Sequence, residues 1–274
     1  CYDDLEDLHK SFAQFANAVP FYGAVLACLD SPGVQEIIPS IKRPVITYGF
    51  TSQADISAKN IQSKETKTTY SLYKQNQKCG KVTLSVPGKH NVLNSLAAAA
   101  IGFEMGLSVK TIIAGIGSYG GVRRRFEIKG IAGDVMVVDD YAHHPTEVSA
   151  TLQAARDGWD RRIIAVFQPH LFSRTKSFYK EFAAAFMDSD VLIVTDIYPA
   201  REKPIKGVTG KLVSNAARST GHKNVHYIPD LENLQVSLDD IIQENDMVIT
   251  IGAGTIWRYG QSYFDHLINQ EAAA

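Results

Sequence analysis

The sequence predicts an α/β protein of two domains, and its C-terminal half is expected to form a doubly wound parallel sheet. Short apolar segments alternate with amphipathic segments of helical period along most of the 274 residues. Between residues 56 and 86 the pattern changes to a rough alternation of apolar and polar residues, which is typical of half-exposed antiparallel strands. The length suits one large domain or two ordinary ones. A glycine-rich stretch marks the boundary, with Gly115, Gly117, Gly120 and Gly121.

The first domain is assigned to residues 1–125, and it opens in a helix–strand–helix–strand order that is typical of a parallel sheet. Its helices are predicted at residues 5–18, 34–41, 90–105 and 109–118. Its strands are predicted at residues 23–29, 44–48, 56–61, 68–74 and 81–86. The last three strands carry the half-exposed pattern and therefore predict an antiparallel extension of the sheet.

The second domain is assigned to residues 126–274, where apolar strands alternate regularly with helices. Strands are predicted at residues 126–131, 135–140, 163–168, 191–197, 225–228 and 247–252. Helices are predicted at residues 146–157, 174–187, 210–219, 231–243 and 256–267. Strands this apolar are expected when helices cover both faces of a parallel sheet. A hairpin at Ala132 and Gly133 leads into the sheet, and residues 271–274 are expected to form a tail.

The composition is that of an ordinary soluble protein, with 45% hydrophobic and 21% charged residues. A net charge of −1 without a long basic tract argues against nucleic acid as a partner. No apolar run is long enough for membrane insertion. Cys1, Cys28 and Cys79 show neither a metal-ligand spacing nor a disulfide framework, so we expect a cytoplasmic protein without a metal site of its own.

The loop at residues 139–147 concentrates ionisable side chains between a buried strand and a helix. Two carboxylates, a phenol and two imidazoles lie within six positions, and Pro145 then begins a helix. Open α/β sheets bind ligands at this place, outside the carboxyl ends of their strands. The alternative is a polar loop whose carboxylates cap the helix.

Two asparagines lie three residues apart, after Gly88, at the start of the alanine-rich helix. Asn91 and Asn94 therefore share one face of its first turn. Carboxamides both donate and accept hydrogen bonds, which suits them to read an adenine edge. The alternative is that Asn91 only caps the helix.

Three consecutive arginines, at 123–125, lead into a predicted strand. Guanidinium groups bind phosphate oxygens in a forked geometry. Side chains alternate in direction along a strand, so at most two of the three face one pocket. A solvated basic surface is the alternative.

The motif at residues 167–175 again places polar groups at the end of a strand and the start of a helix. His170 and Arg174 are suited to bind a carboxylate, with Ser173 as the helix cap. The alternative is a capped helix with an exposed arginine.

A glycine pair, Gly252 and Gly254, follows the last apolar strand. It lacks the third glycine of a dinucleotide fingerprint, and too few residues follow to supply the acidic residue of that motif. We interpret it as a tight turn that passes close to a ligand or to a neighbouring loop.

Four motifs, in this order, resemble the Mur ligase family of peptidoglycan precursor synthesis. They are GKHNVLN at 88–94, RRRFE at 123–127, DDYAHHPTE at 139–147 and FQPHLFSRT at 167–175. VPFYG at 19–23, DIYPAREKPIKGV at 196–208 and GAGTIW at 252–257 add support, so the resemblance covers essentially the whole chain. It implies the later part of a central ATPase domain followed by a Rossmann-like amino-acid-binding domain.

The activity that the resemblance implies is ATP-dependent ligation of L-alanine to UDP-N-acetylmuramate through an acyl phosphate, with Mg²⁺ as a cofactor. A related ligase, which attaches a recycled tripeptide, shares most of the third motif and is the alternative within the family. A nicotinamide-dinucleotide oxidoreductase that uses the Gly252 loop and a non-catalytic binding module are the alternatives outside it.

The resemblance also implies residue roles. Asn94 would read the adenine, helped by His90 and Asn91. Arg125 would reach the ATP phosphates as the catalytic arginine, and Asp140 would accept hydrogen bonds from the ribose hydroxyls. The pocket for L-alanine and its carboxylate would be formed by Tyr141, His143, His170 and Arg174.

The chain departs from the family pattern at several points. Leu171 stands where a second pocket arginine is usual, and Thr255 stands where aspartate is common. The sequence contains no P-loop of the G-x-x-G-K-[ST] kind, and residues 207–212 come near it but end in leucine. The family's metal-binding residues would lie before or around the first residue. We therefore expect a C-terminal fragment that is inactive alone.

Overall fold

The computed structural model describes residues 2 and 4–273, and the chain divides into two compact units between Gly120 and Gly121. The sequence patterns predict a later boundary, after Arg125. The second unit includes that segment because Arg124 pairs with Asp139 and Arg125 pairs with Glu147. Within the described residues, no helix combines the length and the apolar character that crossing a bilayer requires.

The first unit is built on a five-stranded mixed sheet. Its strands are β1 (Val25–Cys28), β2 (Val45–Gly49), β3 (Ile56–Lys64), β4 (Lys67–Lys74) and β5 (Gln77–Leu84). They lie in chain order, parallel from β1 to β3 and antiparallel from β3 to β5. The predicted antiparallel extension of a parallel sheet is therefore confirmed.

The helices of the first unit are α1 (Leu5–Asn17), α2 (Pro32–Ile37), α3 (Lys89–Glu104) and α4 (Val109–Gly117). The long helix α3 packs on the sheet through Val92, Leu96 and Ala99, all fully buried. Its alanine-rich middle both favours the helix and allows close packing against the strands. This packing fixes the first turn of α3, which carries the two asparagines, beside the end of β5.

The second unit contains a six-stranded sheet with five parallel strands and one antiparallel edge strand. Its strands are β6 (Glu127–Ala132), β7 (Val135–Asp140), β8 (Arg162–Phe167), β9 (Val191–Val194), β10 (Val225–Tyr227) and β11 (Asp246–Ile251). Their spatial order is β10-β9-β8-β11-β7-β6. The sheet is thus doubly wound. Strands β8, β9 and β10 lie on one side of β11, and strands β7 and β6 lie on the other side.

Helices cover both faces of this sheet, as the apolar strands predict. They are α5 (Pro145–Gly158), α6 (Phe172–Ala185), α7 (Lys211–Thr220), α8 (Leu234–Ile241) and α9 (Ile256–Ala273). One buried core joins the sheet to α5, α6 and α7, and a second joins it to α8 and α9. The doubly wound, Rossmann-like architecture is therefore confirmed.

Three central strands of the second unit end at the same level. Ile251 of β11 pairs in register with Asp140 of β7 and with Phe167 of β8. The loops that leave these strands consequently emerge side by side at one edge of the sheet. This register brings the motifs at residues 139–147, 167–175 and 252–257 together.

Several predicted boundaries differ from the observed ones. Helix α9 continues to Ala273, whereas a tail was predicted from residue 271; the carboxylate of Glu271 accepts a hydrogen bond from the amide of Gly133. The hairpin before β7 turns at Gly133 and Asp134, one residue later than predicted, and both have positive φ angles, as a type I′ turn requires.

Candidate functional site

A cavity of about 350 Å³ lies in the first unit beside the start of α3. This volume is at the small end of the range for ligand pockets, about 300–1,000 Å³. Its walls combine apolar side chains with a few polar groups, which suits a small planar heterocycle. The lining residues are Leu84, Val86, Asn91, Asn94, Ser95, Ala98, Gly115, Ile116 and Tyr119.

The two predicted adenine-binding asparagines line this cavity. Asn91 donates from Nδ2 to the carbonyl of Pro87 at 2.7 Å, and Asn94 donates from Nδ2 to Oδ1 of Asn91 at 3.4 Å. Among the described residues, no side chain caps the start of α3, so Asn91 does not serve as the helix cap. The loop thus holds Asn91, which in turn orients the more exposed Asn94. His90 is half-buried on the same turn and is not one of the described lining residues.

A buried hydroxyl pair stiffens one wall of the cavity. The Tyr70 hydroxyl lies 2.7 Å from Oγ of Ser95, and Ser95 donates to the carbonyl of Val92. Burial raises the pKa of Tyr70 to about 12, so its phenol stays neutral at physiological pH. Together these bonds fix one side of the cavity before any ligand binds.

In the second unit, the loop after β7 is organised around Asp140. This carboxylate is buried, and it accepts hydrogen bonds from the amides of Phe126 at 2.9 Å and Ala142 at 2.8 Å. Burial raises its pKa, although these amides oppose the shift. Each carboxylate oxygen already accepts from a backbone amide, so the geometry supports a role in shaping the loop. The ribose contact stays a prediction.

Glu147 holds the same loop from the first turn of α5. Its Oε2 accepts from the amides of His143 at 2.9 Å and His144 at 3.2 Å. His144 completes a capping box, because its Nδ1 accepts from the backbone of the first turn, and its ring packs on Phe178 at 5.1 Å. Although burial opposes the change, the His143 amide and Arg125 lower the pKa of Glu147, which keeps it charged. His144, to which the sequence assigns no role, therefore braces the loop.

The four residues predicted to bind an amino acid gather at the ends of β7 and β8. The ring centroids of Tyr141 and His143 lie 5.3 Å apart, and those of His143 and His170 lie 6.0 Å apart. Nη1 of Arg174 lies 3.3 Å from Nδ1 of His170. Residues that lie 27 to 33 positions apart in the sequence thus form one cluster that includes a guanidinium. This arrangement fits a small carboxylate.

Tyr198 belongs to this cluster and was missed by the sequence analysis. Its ring stacks on His170 with centroids 5.9 Å apart and an interplanar angle of 15°. Its amide donates to the carbonyl of Pro169 at 2.8 Å, and its carbonyl accepts from the amide of Leu171 at 3.1 Å. The loop after β9 is thereby paired with the loop after β8. The signals in the sequence are its position shortly after an apolar strand and its place in the motif at residues 196–208.

Leu171 has a positive φ of 71°, which is uncommon for a residue with a side chain. It directly precedes α6, whose first turn is anchored by the carboxylate of Glu202, which accepts from the amide and the hydroxyl of Ser173. Strained backbone of this kind persists only where surrounding contacts impose it, and it clusters at ligand sites. The predicted cap, Ser173, lies inside the first turn of α6.

The electrostatic environment keeps His170 neutral. Burial is the largest cause of its lowered pKa, followed by the charges of Arg174 and His143. At physiological pH His170 therefore adds little positive charge to that of Arg174.

This lowered pKa predicts a pH dependence of stability. The neutral imidazole contributes its full stability above the unfolded-state pKa of about 6.5, and that contribution is lost as the pH falls through the lower folded-state value. We expect the free energy of unfolding to fall below pH 6.5 less steeply in His170→Gln than in the unmodified chain. Tryptophan fluorescence in urea can measure this, since both tryptophans, Trp159 and Trp257, lie in the second unit. Equal slopes would contradict the assignment; His222 and His226, whose pKa values are also lowered by burial, contribute to both proteins alike.

The loop that begins at Gly252 packs closely against Gln168, in the loop after β8. A Cβ at Gly252 would lie 2.7 Å from the carbonyl oxygen of Gln168, and one at Gly254 would clash with the side chains of Gln168 and Tyr198. Gln168 also accepts from the amide of Ile256, the first residue of α9, at 3.1 Å. The glycines therefore allow two loops of the site to pass closely, which is the neighbouring-loop interpretation of this motif.

The arginines at positions 124 and 125 differ in how far their side chains are buried. Arg125, the predicted catalytic arginine, is half exposed, and its Nη1 pairs with Glu147 at 3.4 Å. Arg124 is mostly buried and contacts Asp139, which the sequence analysis did not single out as a functional pair. Burial raises the pKa of Asp139, and its hydrogen bonds from Arg124 and Thr250 oppose that shift.

Across residues 2 and 4–273, no group of three or more histidine, cysteine, aspartate or glutamate side chains is arranged to hold a metal ion. We therefore name no metal ligand among the described residues.

Two family descriptions match the sequence in tandem. "Mur ligase middle domain" matches residues 1–102, and "Mur ligase, glutamate ligase domain" matches residues 124–254. The boundary between the two structural units falls in the interval between the matches.

Curated relatives carry the name UDP-N-acetylmuramate--L-alanine ligase. The protein from Salinibacter ruber is 46% identical over 100% of this chain and 58% of its own length. The protein from Syntrophus aciditrophicus is 47% identical over 97% of this chain and 55% of its own length. The chain therefore spans somewhat more than half the length of these relatives.

Solved structures share the fold. MurC from Thermotoga maritima, a UDP-N-acetylmuramate-alanine ligase, superposes with a TM-score of 0.77 at 23% identity, covering 98% of this chain and 56% of that one. MurF from Acinetobacter baumannii gives a TM-score of 0.77 at 16% identity, covering 96% and 55%.

Proposed function

This chain belongs to the Mur ligase family, and we propose that it carries the adenine-binding and amino-acid-binding parts of an ATP-dependent ligase that joins L-alanine to UDP-N-acetylmuramate. The observation that carries the proposal is the cluster in which Arg174 and three aromatic or imidazole rings lie in contact at the ends of β7 and β8. Relatives that bear this ligase name match essentially the whole chain.

The proposed reaction has two balanced steps. The lactyl carboxylate of the sugar nucleotide attacks the γ-phosphorus of ATP, which forms an acyl phosphate and releases ADP. The neutral amine of L-alanine then attacks the acyl carbon, the amide bond forms, inorganic phosphate leaves, and the amine loses a proton. Mg²⁺ would neutralise charge on the transferring phosphoryl group, and we assign it no ligand among the described residues.

The second unit would hold the amine for this attack. Arg174 would bind the carboxylate of L-alanine through its guanidinium, since such pairs are charge-assisted and directional. Neutral His170, with Tyr141, His143 and Tyr198, would enclose the methyl group and limit the size of the side chain. Fixing the amino acid by its own carboxylate brings the amine into an attacking position and removes much of the entropic barrier.

The first unit would hold the adenine. The cavity beside α3 offers apolar faces for the ring and the Asn94 carboxamide for its polar edge. We retain Arg125 as the arginine for the ATP phosphates and Asp140 for the ribose as parts of this proposal. Half exposure of the Arg125 side chain supports its availability to an anion. We also place the reaction in the cytoplasm, which the scattered cysteines support.

A nucleotide competition assay separates this proposal from the oxidoreductase alternative. The probe is a fluorescent adenine nucleotide bound to the chain, with ADP and NADH as competitors. We expect ADP to displace it more effectively than NADH, because the cavity is small. In addition, Gln168 occupies the space beside Gly252 and Gly254 that a dinucleotide would need. Tighter binding of NADH than of ADP would overturn the proposal.

A second titration separates L-alanine from the tripeptide substrate of the related ligase. We expect saturable binding of L-alanine, because Arg174 offers a guanidinium for its carboxylate beside the ring of His170. Preference for the tripeptide would assign the chain to that relative instead.

A further inference from the structure

Arg124 links two parts of the second unit that the chain keeps far apart, the end of β7 and the loop after β11. Its Nε donates to Oδ2 of Asp139 at 3.0 Å, and its Nη2 donates to the carbonyl of Gly252 at 2.7 Å. Its guanidinium carbon lies 4.8 Å from the centroid of the Tyr141 ring. One side chain therefore contacts the end of β7, the end of β11 and a ring of the candidate amino-acid pocket.

The backbone of Arg124 reinforces these contacts. Its carbonyl accepts from the amide of Tyr141 at 2.7 Å, and its own amide donates to Oε2 of Glu127 at 2.7 Å. Its φ angle is 59°, in the left-handed region that side-chain-bearing residues rarely adopt. The surrounding bonds thus impose an uncommon conformation that aims the guanidinium at the loop after β7.

The positive charge of Arg124 is balanced by the buried carboxylate of Asp139. The Asp139 side chain is 1% exposed, and its other oxygen accepts from the hydroxyl of Thr250 at 2.9 Å. A guanidinium is planar and forked, so it can bond Asp139 and the Gly252 carbonyl while its face covers the tyrosine ring. An ammonium can keep the charge beside Asp139, but it lacks that planar geometry.

We infer that Arg124 is a positioning residue that fixes the Tyr141 ring and the Gly252 loop in the arrangement that binds the amino acid. It acts through Tyr141 and is not assigned a contact with the substrate. This inference rests on the proposed function for its ligand, L-alanine, but the position of the Tyr141 ring can be measured without any ligand.

The test uses Arg124→Lys, since the lysine leaves Asp139 paired and avoids the buried unpaired carboxylate that alanine would create. Arg123→Lys is the matched control, because the neighbouring Arg123 is exposed. Two quantities are measured in the whole chain: the dissociation constant for L-alanine, and the ring resonances of Tyr141 in ¹³C-tyrosine-labelled protein, identified with Tyr141→Phe.

We expect Arg124→Lys to weaken L-alanine binding about tenfold, because the pocket is no longer preorganised. We also expect it to move the Tyr141 resonances in the absence of ligand, while Arg123→Lys changes neither quantity. Unmoved Tyr141 resonances, or moved resonances with unchanged L-alanine affinity, would overturn the inference.

The two hypotheses fail in different ways. If the unmodified chain does not bind L-alanine, the proposed function fails, and the Tyr141 resonances alone decide whether Arg124 positions the ring. If the unmodified chain binds L-alanine and Arg124→Lys binds it equally well, only the role of Arg124 is lost.

Discussion

Replacing Arg174 by alanine is expected to weaken L-alanine binding by at least about 30-fold, or about 2 kcal/mol, because truncating one partner of a charge pair costs about 2–5 kcal/mol. Arg174 is the guanidinium nearest to His170, at 3.3 Å, and the lowered pKa of His170 leaves little positive charge on the ring. Calorimetric titration of the purified variant with L-alanine measures the effect. Binding of ADP is expected to stay within about twofold, because the cavity proposed for the adenine lies in the first unit.

Lys176→Ala provides the matched control for this change. Lys176 lies on the same helix, is exposed, and carries the same charge. We expect it to bind L-alanine normally. A large loss of ADP affinity in Arg174→Ala with normal L-alanine affinity would mean that the two pockets are assigned the wrong way round.

Filling the cavity of the first unit should strongly weaken adenine binding. Ala98 lines the cavity from an exposed position on α3, and Ala98→Leu would place a larger apolar side chain in the space assigned to the ring. Leucine is a good helix former, so α3 should persist. We expect ADP binding to weaken by at least about 30-fold, whereas Asn94→Ala should cost about tenfold through one lost hydrogen-bonding partner. Displacement of a fluorescent adenine nucleotide measures both.

Gln62→Ala is the control for the asparagine substitution, because it removes an exposed amide of the same unit that is not among the described lining residues of the cavity. Normal ADP affinity in Ala98→Leu would show that the adenine binds elsewhere. If Asn94→Ala binds ADP normally while Ala98→Leu does not, the cavity remains the proposed adenine site, but Asn94 does not recognise the adenine edge.

The architecture was largely predictable because it follows from local patterns. Apolar strands such as Val135–Asp140 are buried along their whole length, and the change to alternating residues before Pro87 marks the antiparallel strands. The spacing of Asn91 and Asn94 likewise places both on one cavity wall, since helical periodicity is local. These features depend on neighbours within a few positions.

The parts that were not predictable depend on contacts between distant segments. The sequence does not indicate which of three arginines is buried, and only the register of β7 with β11 brings Arg124 to both Asp139 and Gly252. Tyr198 enters the amino-acid cluster through backbone pairing of its loop with Pro169 and Leu171. Positive φ angles at Arg124 and Leu171 arise from these same tertiary contacts.

The most direct test of the account is an NMR titration of the unmodified chain with L-alanine, using D-alanine as the stereochemical control. We predict saturable shifts of the His143 and His170 ring resonances with L-alanine, weaker effects with D-alanine, and loss of the shifts in Arg174→Ala. Saturation at a different set of residues, or the absence of any saturable shift with L-alanine, would contradict the assignment of the cluster as the amino-acid site.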